Sequence, residues 1–157
     1  TLDNYNIICR ISSLIRLRII NVRNFNISYY ENLKHTSLRH LELCLCPAIC
    51  NLDFLKSFPN LISIFIDCCN NLTNLQGIEN CEDLDLLSVA VSKNQIFSNS
   101  LKNLQNVKNI GLGGKYDPAL ILEFLKDFNG NTFSTGNFKR GDFDFLKYYE
   151  TNYLENA

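Results

Sequence analysis

The sequence predicts an α/β solenoid with a parallel sheet and a cap at each end, and three observations carry that prediction. Apolar residues recur at offsets 0, 3 and 5 from five starting points: Leu14, Leu38, Leu61, Leu84 and Val107. The last four starts are 23 residues apart and the first lies 24 residues upstream. A second apolar series follows each strand-like stretch, at Ile49, Leu52, Leu55 and Phe58 and again at Leu72, Leu75, Ile78 and Cys81. The third observation is an amphipathic helix near the end of the series. A unit with one short strand and one returning segment cannot bury its apolar face alone, whereas stacked units share a continuous core.

Taken in order, residues 1 to 13 carry Leu2, Tyr5, Ile7, Ile8 and Ile11 and are read as the N-terminal cap. Residues 14 to 130 hold five repeats. The strand-bearing segments align as "LRHLELCLC", "LISIFIDCC", "LDLLSVAVS" and "VKNIGLGGK", with an earlier copy that begins at Leu14 and carries Leu17 and Ile19. The backs of the second and third repeats, "NLDFLKSFPN" and "NLTNLQGIEN", are expected as helical turns or irregular segments, and a short helix is expected near 100–106, starting at Ser100. Over 118–128 the stripe Leu120, Ile121, Phe124, Leu125 and Phe128 predicts an α-helix. Asp117 suits its N-cap, Pro118 its first position and Gly130 its exit. Residues 131 to 157 are read as the C-terminal cap, with "TFSTGNF" as a last strand and "DFDFLKYYETNYL" as a helix folding back. All 157 residues form one domain in this reading.

The pattern LxxLxLxx[N/C] over residues 14 to 129 resembles the leucine-rich-repeat family. The resemblance implies a horseshoe with the parallel sheet on its concave side. Strands stack ~4.8 Å apart and helices need ~10 Å, so bulkier backs curve the stack. It also explains two of the cysteines in "LRHLELCLCPAICNLDFL". Cys46 and Cys69 hold the position where the family places Asn or Cys, and "CPAI" and "CNNL" resemble its cysteine-containing variant. The resemblance implies that both are buried, as small apolar groups with a weak S–H donor. Val22, Ser92 and Lys115 stand at the same position in the other repeats, so the ladder is incomplete.

Composition narrows the classes. Hydrophobic residues are 46% and charged residues 20%, ordinary globular usage. No apolar run is long enough for a membrane helix, and "TLDNYNIICR" shows no signal-peptide pattern. Seven cysteines, odd and unpaired in spacing, suit a reducing compartment, hence a cytoplasmic protein. A net charge of −1 lacks the basic surplus of a nucleic-acid binder. The charge is uneven: basic residues dominate to Arg39, and Glu42, Asp53, Asp67, Glu79, Glu82, Asp83 and Asp85 dominate from 40 to 91. Such asymmetry can steer a charged partner.

Chemistry is sparse. "GLGGK" lacks the full G-x-x-x-x-G-K-[S/T] spacing, and its glycines are better read as room for a close backbone approach or as the mark of a twist. Cys44, Cys46, Cys50, Cys68 and Cys69 offer only fragments of a zinc motif, and disulfides suit the compartment poorly. A His40–Cys44 couple would be split by four strand residues, about 13 Å. No cofactor, no metal and no enzymatic activity are expected. What remains is the outward face of the sheet, at Arg16, Arg18 and Ile20; His40, Glu42 and Cys44; Ser63, Phe65 and Asp67; Leu86, Ser88 and Ala90; Asn109, Gly111 and Gly113, of which Arg16, Arg18, His40, Glu42, Ser63, Phe65, Asp67, Leu86 and Ser88 are the expected protein-binding residues. Phe65 and Leu86 beside Glu42 and Asp67 look like an apolar anchor with a charged rim. The expected function is a non-catalytic protein-binding module, monomeric when free, with no membrane or nucleic-acid partner. Its small size and lack of chemistry suggest a stand-alone inhibitor, such as an immunity protein neutralising a cognate toxin. The alternative is an adaptor or scaffold subunit of a larger complex.

Overall fold

The structure, a computed structural model, describes residues 11–24, 36–91, 100–113, 118–135 and 138–140. Seven strands form one sheet in chain order: β1 (Arg16–Ile20), β2 (His40–Cys44), β3 (Ser63–Asp67), β4 (Leu86–Ala90), β5 (Asn109–Gly113), β6 (Thr132–Thr135) and β7 (Phe138–Arg140). The first six run parallel, and β7 turns back antiparallel on β6. The fold is α/β, with the single described helix α1 at Pro118–Asp127. Among the described residues no helix is long and apolar enough to cross a membrane.

The register follows the repeat spacing residue for residue. Leu17, Leu41, Ile64, Leu87 and Ile110 stand in one row, and Ile19, Leu43, Ile66, Val89 and Leu112 in another. Both rows are buried, because alternate residues of a strand point to one face. The offset-0 residues Leu38, Leu61, Leu84 and Val107 are buried beneath them. Each fully buried Leu or Ile contributes roughly 1.5–3 kcal/mol over its exposed state.

The returning segments are 3-10 turns at Asp53–Ser57, Ile78–Asn80 and Leu101–Leu104. Their apolar residues come every third position, as in Leu52, Leu55 and Phe58 or Leu72, Leu75, Ile78 and Cys81. That spacing matches three residues per turn, so one face of a 3-10 segment is apolar throughout. By contrast, α1 and the residue after it carry the mixed three- and four-residue spacing of an α-helix, with Ile121, Phe124 and, just past the helix end, Phe128 buried. Asp117, Lys115, Ser92, residues 1–10 and residues 141–157, including the expected C-terminal helix, lie outside the described residues.

The turn after each of the first three strands repeats one backbone device. Asn21, Leu45 and Cys68 have φ of 56°, 54° and 54°. Each donates its N–H to the last carbonyl of the following strand: Cys44 at 2.9 Å, Asp67 at 2.9 Å and Ala90 at 2.8 Å. A left-handed residue reaches these carbonyls, but it costs a side chain with a Cβ roughly 1–2 kcal/mol, least for Asn. The first turn already uses Asn. Leu45→Asn is therefore expected to raise stability by about 0.5–1 kcal/mol, read as a higher urea midpoint with an unchanged slope. A lower midpoint would mean that the half-exposed leucine contributes more packing than its backbone costs.

One residue later the thiols follow. Cys46 Sγ lies 3.7 Å from the Ile19 carbonyl and 3.2 Å from that of Cys44. Cys69 Sγ lies 3.7 Å from Leu43 O and 3.6 Å from Asp67 O. Both side chains are fully buried, and both thiols are free. They link adjacent repeats by weak S–H donation inside the core. Gly113 of "GLGGK" ends β5, where a Cβ would stand 3.0 Å from Ala90 Cα, so its lack of a side chain allows close strand approach.

Candidate functional site

Three rows of side chains cross the outward face of the sheet. The first runs Arg16, His40, Ser63, Leu86, Asn109 and Thr132; the second Arg18, Glu42, Phe65, Ser88, Gly111 and Ser134; the third Ile20, Cys44, Asp67, Ala90 and Gly113. Alternation places these residues together, as expected. It does not make them all accessible.

The first row is closed at its centre. His40 is 8% exposed, Ser63 1% and Leu86 0%, which corrects the expectation that these three present themselves to a partner. Leu86 is buried yet stands outside the main core cluster. Two pairs in the row are bonded through their side chains: His40 Nδ1 and Ser63 Oγ are 2.8 Å apart, and Thr132 Oγ1 donates to Asn109 Oδ1 at 2.9 Å. Arg16 is half-buried at the end of this row.

The His40–Ser63 contact has the geometry of a base beside a nucleophile. Two facts argue against that chemistry. The hydroxyl has almost no accessible surface. Burial, and then the nearby Arg16 and Arg39 guanidinium groups, push the imidazole down to about 4, which makes it a poor base at neutral pH. The shift has a consequence for stability. The unfolded chain takes up the His40 proton near pH 6.5 and the folded one only near 4, so the folded state loses ground as pH falls through that window. His40→Gln is expected to flatten that part of the stability–pH curve while leaving the part above pH 7 little changed. An unaltered slope between pH 6.5 and 4 would exclude His40 as its source.

The second and third rows open outward. Arg18 Nε and Glu42 Oε1 are 2.9 Å apart, with side-chain exposures of 59% and 20%. So exposed a pair adds at most about 1 kcal/mol. Cys44 Sγ donates to the same Glu42 oxygen at 3.5 Å. Its burial, and then Glu42, raise the thiol to about 11, so it is a neutral donor. Asp67 is exposed; Phe65 and Ser88 are half-buried. Cys68, next to Asp67, is also raised, first by its hydrogen bond to that carboxylate.

The sequence places Ile20 on the outward face but not in the anchor, and it does not single out Leu45. Ile20 is 48% exposed and Leu45 50%. Ile20 sits opposite Cys44 in the register, with Leu45 one residue further along. The signal was present, since Ile20 holds an outward position that Cys44, Asp67 and Ala90 fill in later strands. Among the described residues no group of three or more His, Cys, Asp or Glu side chains could hold a metal ion. Compared with protein-family models, curated proteins and solved structures, the chain matches none of them.

Proposed function

We propose that this chain is a leucine-rich-repeat solenoid of horseshoe form that acts as a non-catalytic protein-binding module, and that the open part of its outward sheet face is the binding surface. The observation that carries this reading is the patch along the C-terminal ends of the first three strands. Ile20 and, in the turn after β2, Leu45 expose apolar surface there, and the Arg18–Glu42 pair and Asp67 supply charge on the same strands. Apolar anchors within a charged rim are the usual anatomy of an interface centre. The repeat reading is supported by the 23-residue register, the repeated left-handed turn and the buried thiols of Cys46 and Cys69. The free thiols suit a reducing, cytoplasmic setting. Within the binding class we favour a stand-alone inhibitor, such as an immunity protein holding a cognate toxin.

The test is capture of a stoichiometric partner from native lysate, followed by purification of that partner and measurement of its affinity. Ile20→Asp/Asp67→Lys is expected to weaken binding by at least about a hundredfold, two contacts' worth at an interface centre. A partner bound equally by both forms would remove the outward face from consideration. A partner whose activity the chain leaves untouched would remove the inhibitor reading.

A further inference from the structure

A cleft of about 340 Å³ opens between the backs of the third and fourth repeats. Ile78, Cys81, Leu84 and Val107 supply its apolar lining, and Glu79, Glu82, Asn103 and Asn106 its polar one. The repeat itself explains why a cleft exists here. The position held by Cys81 is Phe58 one unit earlier and Leu104 one unit later. Phe58 is buried and packs edge-on against Phe54. Cys81 is the smallest of the three and leaves room that a phenyl or isobutyl group would fill.

The charges are specific to this unit as well. Glu79 and Glu82 stand where the preceding unit has Lys56 and Pro59 and the following one Lys102 and Gln105. No Lys or Arg is among the described residues lining the cleft; Lys108 is drawn instead to Asp85, at 3.2 Å. Two donors hold one oxygen of Glu79. The Gly77 N–H reaches Oε2 at 3.0 Å and the Asn103 amide reaches it at 3.3 Å. Among the described residues no donor reaches Oε1. Burial, and then Glu79, raise the Cys81 thiol to about 12, so the floor stays neutral.

We propose that this cleft is a receptor pocket for a basic side chain, Lys or Arg, presented by a protein partner. An aliphatic stem would lie on Ile78, Leu84 and Val107 while the cationic head meets Glu79 and Glu82 at the rim, the usual partition of a long cationic side chain. The inference takes its biological meaning from the protein-binding reading, but its test does not depend on that reading.

The full chain is titrated with Nα-acetyl-lysine methylamide and, separately, with Nα-acetyl-norleucine methylamide, which keeps the four-carbon stem and lacks the charged head. NMR follows the Leu84 and Val107 methyls and the Asn103 and Asn106 side-chain amides. The lysine probe is expected to give saturable shifts in the millimolar range and to bind at least about fivefold more tightly than the norleucine probe. Glu79→Gln/Glu82→Gln should erase that preference, since each Gln keeps an acceptor oxygen but no charge. Cys81→Phe, which borrows the preceding unit's residue, should abolish the shifts; if it misfolds, the double Gln variant decides alone. Equal binding of the two probes, a preference that survives the double variant, or no shifts at all would overturn the proposal. A failed probe beside a captured partner removes only the cleft, whereas a bound probe with no partner weighs against the outward face.

Discussion

Gly77→Ala is expected to cost more than about 3 kcal/mol. Two independent penalties meet at this residue. Its φ of 104° lies where a side chain is rarely accommodated. A Cβ built there would also run into the Leu52 carbonyl of the preceding unit and stand 2.7 Å from Asp53 N. Those atoms are backbone, and the Leu52 N–H is itself bound to Gln76 O at 3.0 Å, so neither side of the contact can step back alone. Gly77 also opens the 3-10 turn that carries Ile78, and its N–H is held by Glu79. Chemical denaturation should show a lower midpoint with expression reduced to match. Stability within about 0.5 kcal/mol of wild type would mean that the units separate at this seam more easily than their contacts indicate.

The strands were legible in the sequence because two periods reinforce each other. Alternation within a strand says which residues face inward, and the 23-residue repeat says which of them stack. Leu41, Ile64 and Leu87 obey both. Helix α1 was legible because Pro118, the apolar stripe and Gly130 agree with one another. Gly130 does more than end a helix, since a Cβ there would come within 2.5 Å of Val107 O. The 3-10 backs were half legible: their three-residue spacing is visible in the sequence, but short apolar runs separate poorly into turn types.

The candidate site was less legible, for a physical reason. Alternation fixes the side to which a residue points, not what lies above it. Ser63 and Asp67 therefore look alike in sequence and differ completely in exposure. The Arg18–Glu42 pair depends on the parallel register, which a list of outward residues does not contain. The cleft at Cys81 could have been found by reading down one column of the repeat, where Phe58, Cys81 and Leu104 differ in volume. Reading along the rows of strands passes it by.

Phe133→Ala is expected to cost about 3–5 kcal/mol, and where that loss falls matters as much as its size. Phe133 is fully buried in β6, opposite Ile110 in the register. Its ring centroid lies 5.2 Å from that of Phe124 and 6.0 Å from that of Phe128, and those two are 5.2 Å apart. The three rings are what fasten α1 to the last parallel strand. Strand pairing runs in chain order, so β6 meets only β5 and β7. Loss of the ring should therefore loosen α1 and β6 first, while β2, β3 and β4 keep their buried rows and their bonds to one another. Amide exchange separates this outcome from uniform destabilisation. In the variant, protection in α1 and β6 should fall well below that of β3, whereas in the wild type the two should be closer. If protection falls equally everywhere, the sheet opens as one cooperative unit, and the Cys81 cleft and the outward patch share a single stability. If it falls at the end alone, the chain loosens unit by unit, and both surfaces, which lie on β1 to β5 and the backs between them, survive the loss of the aromatic cluster.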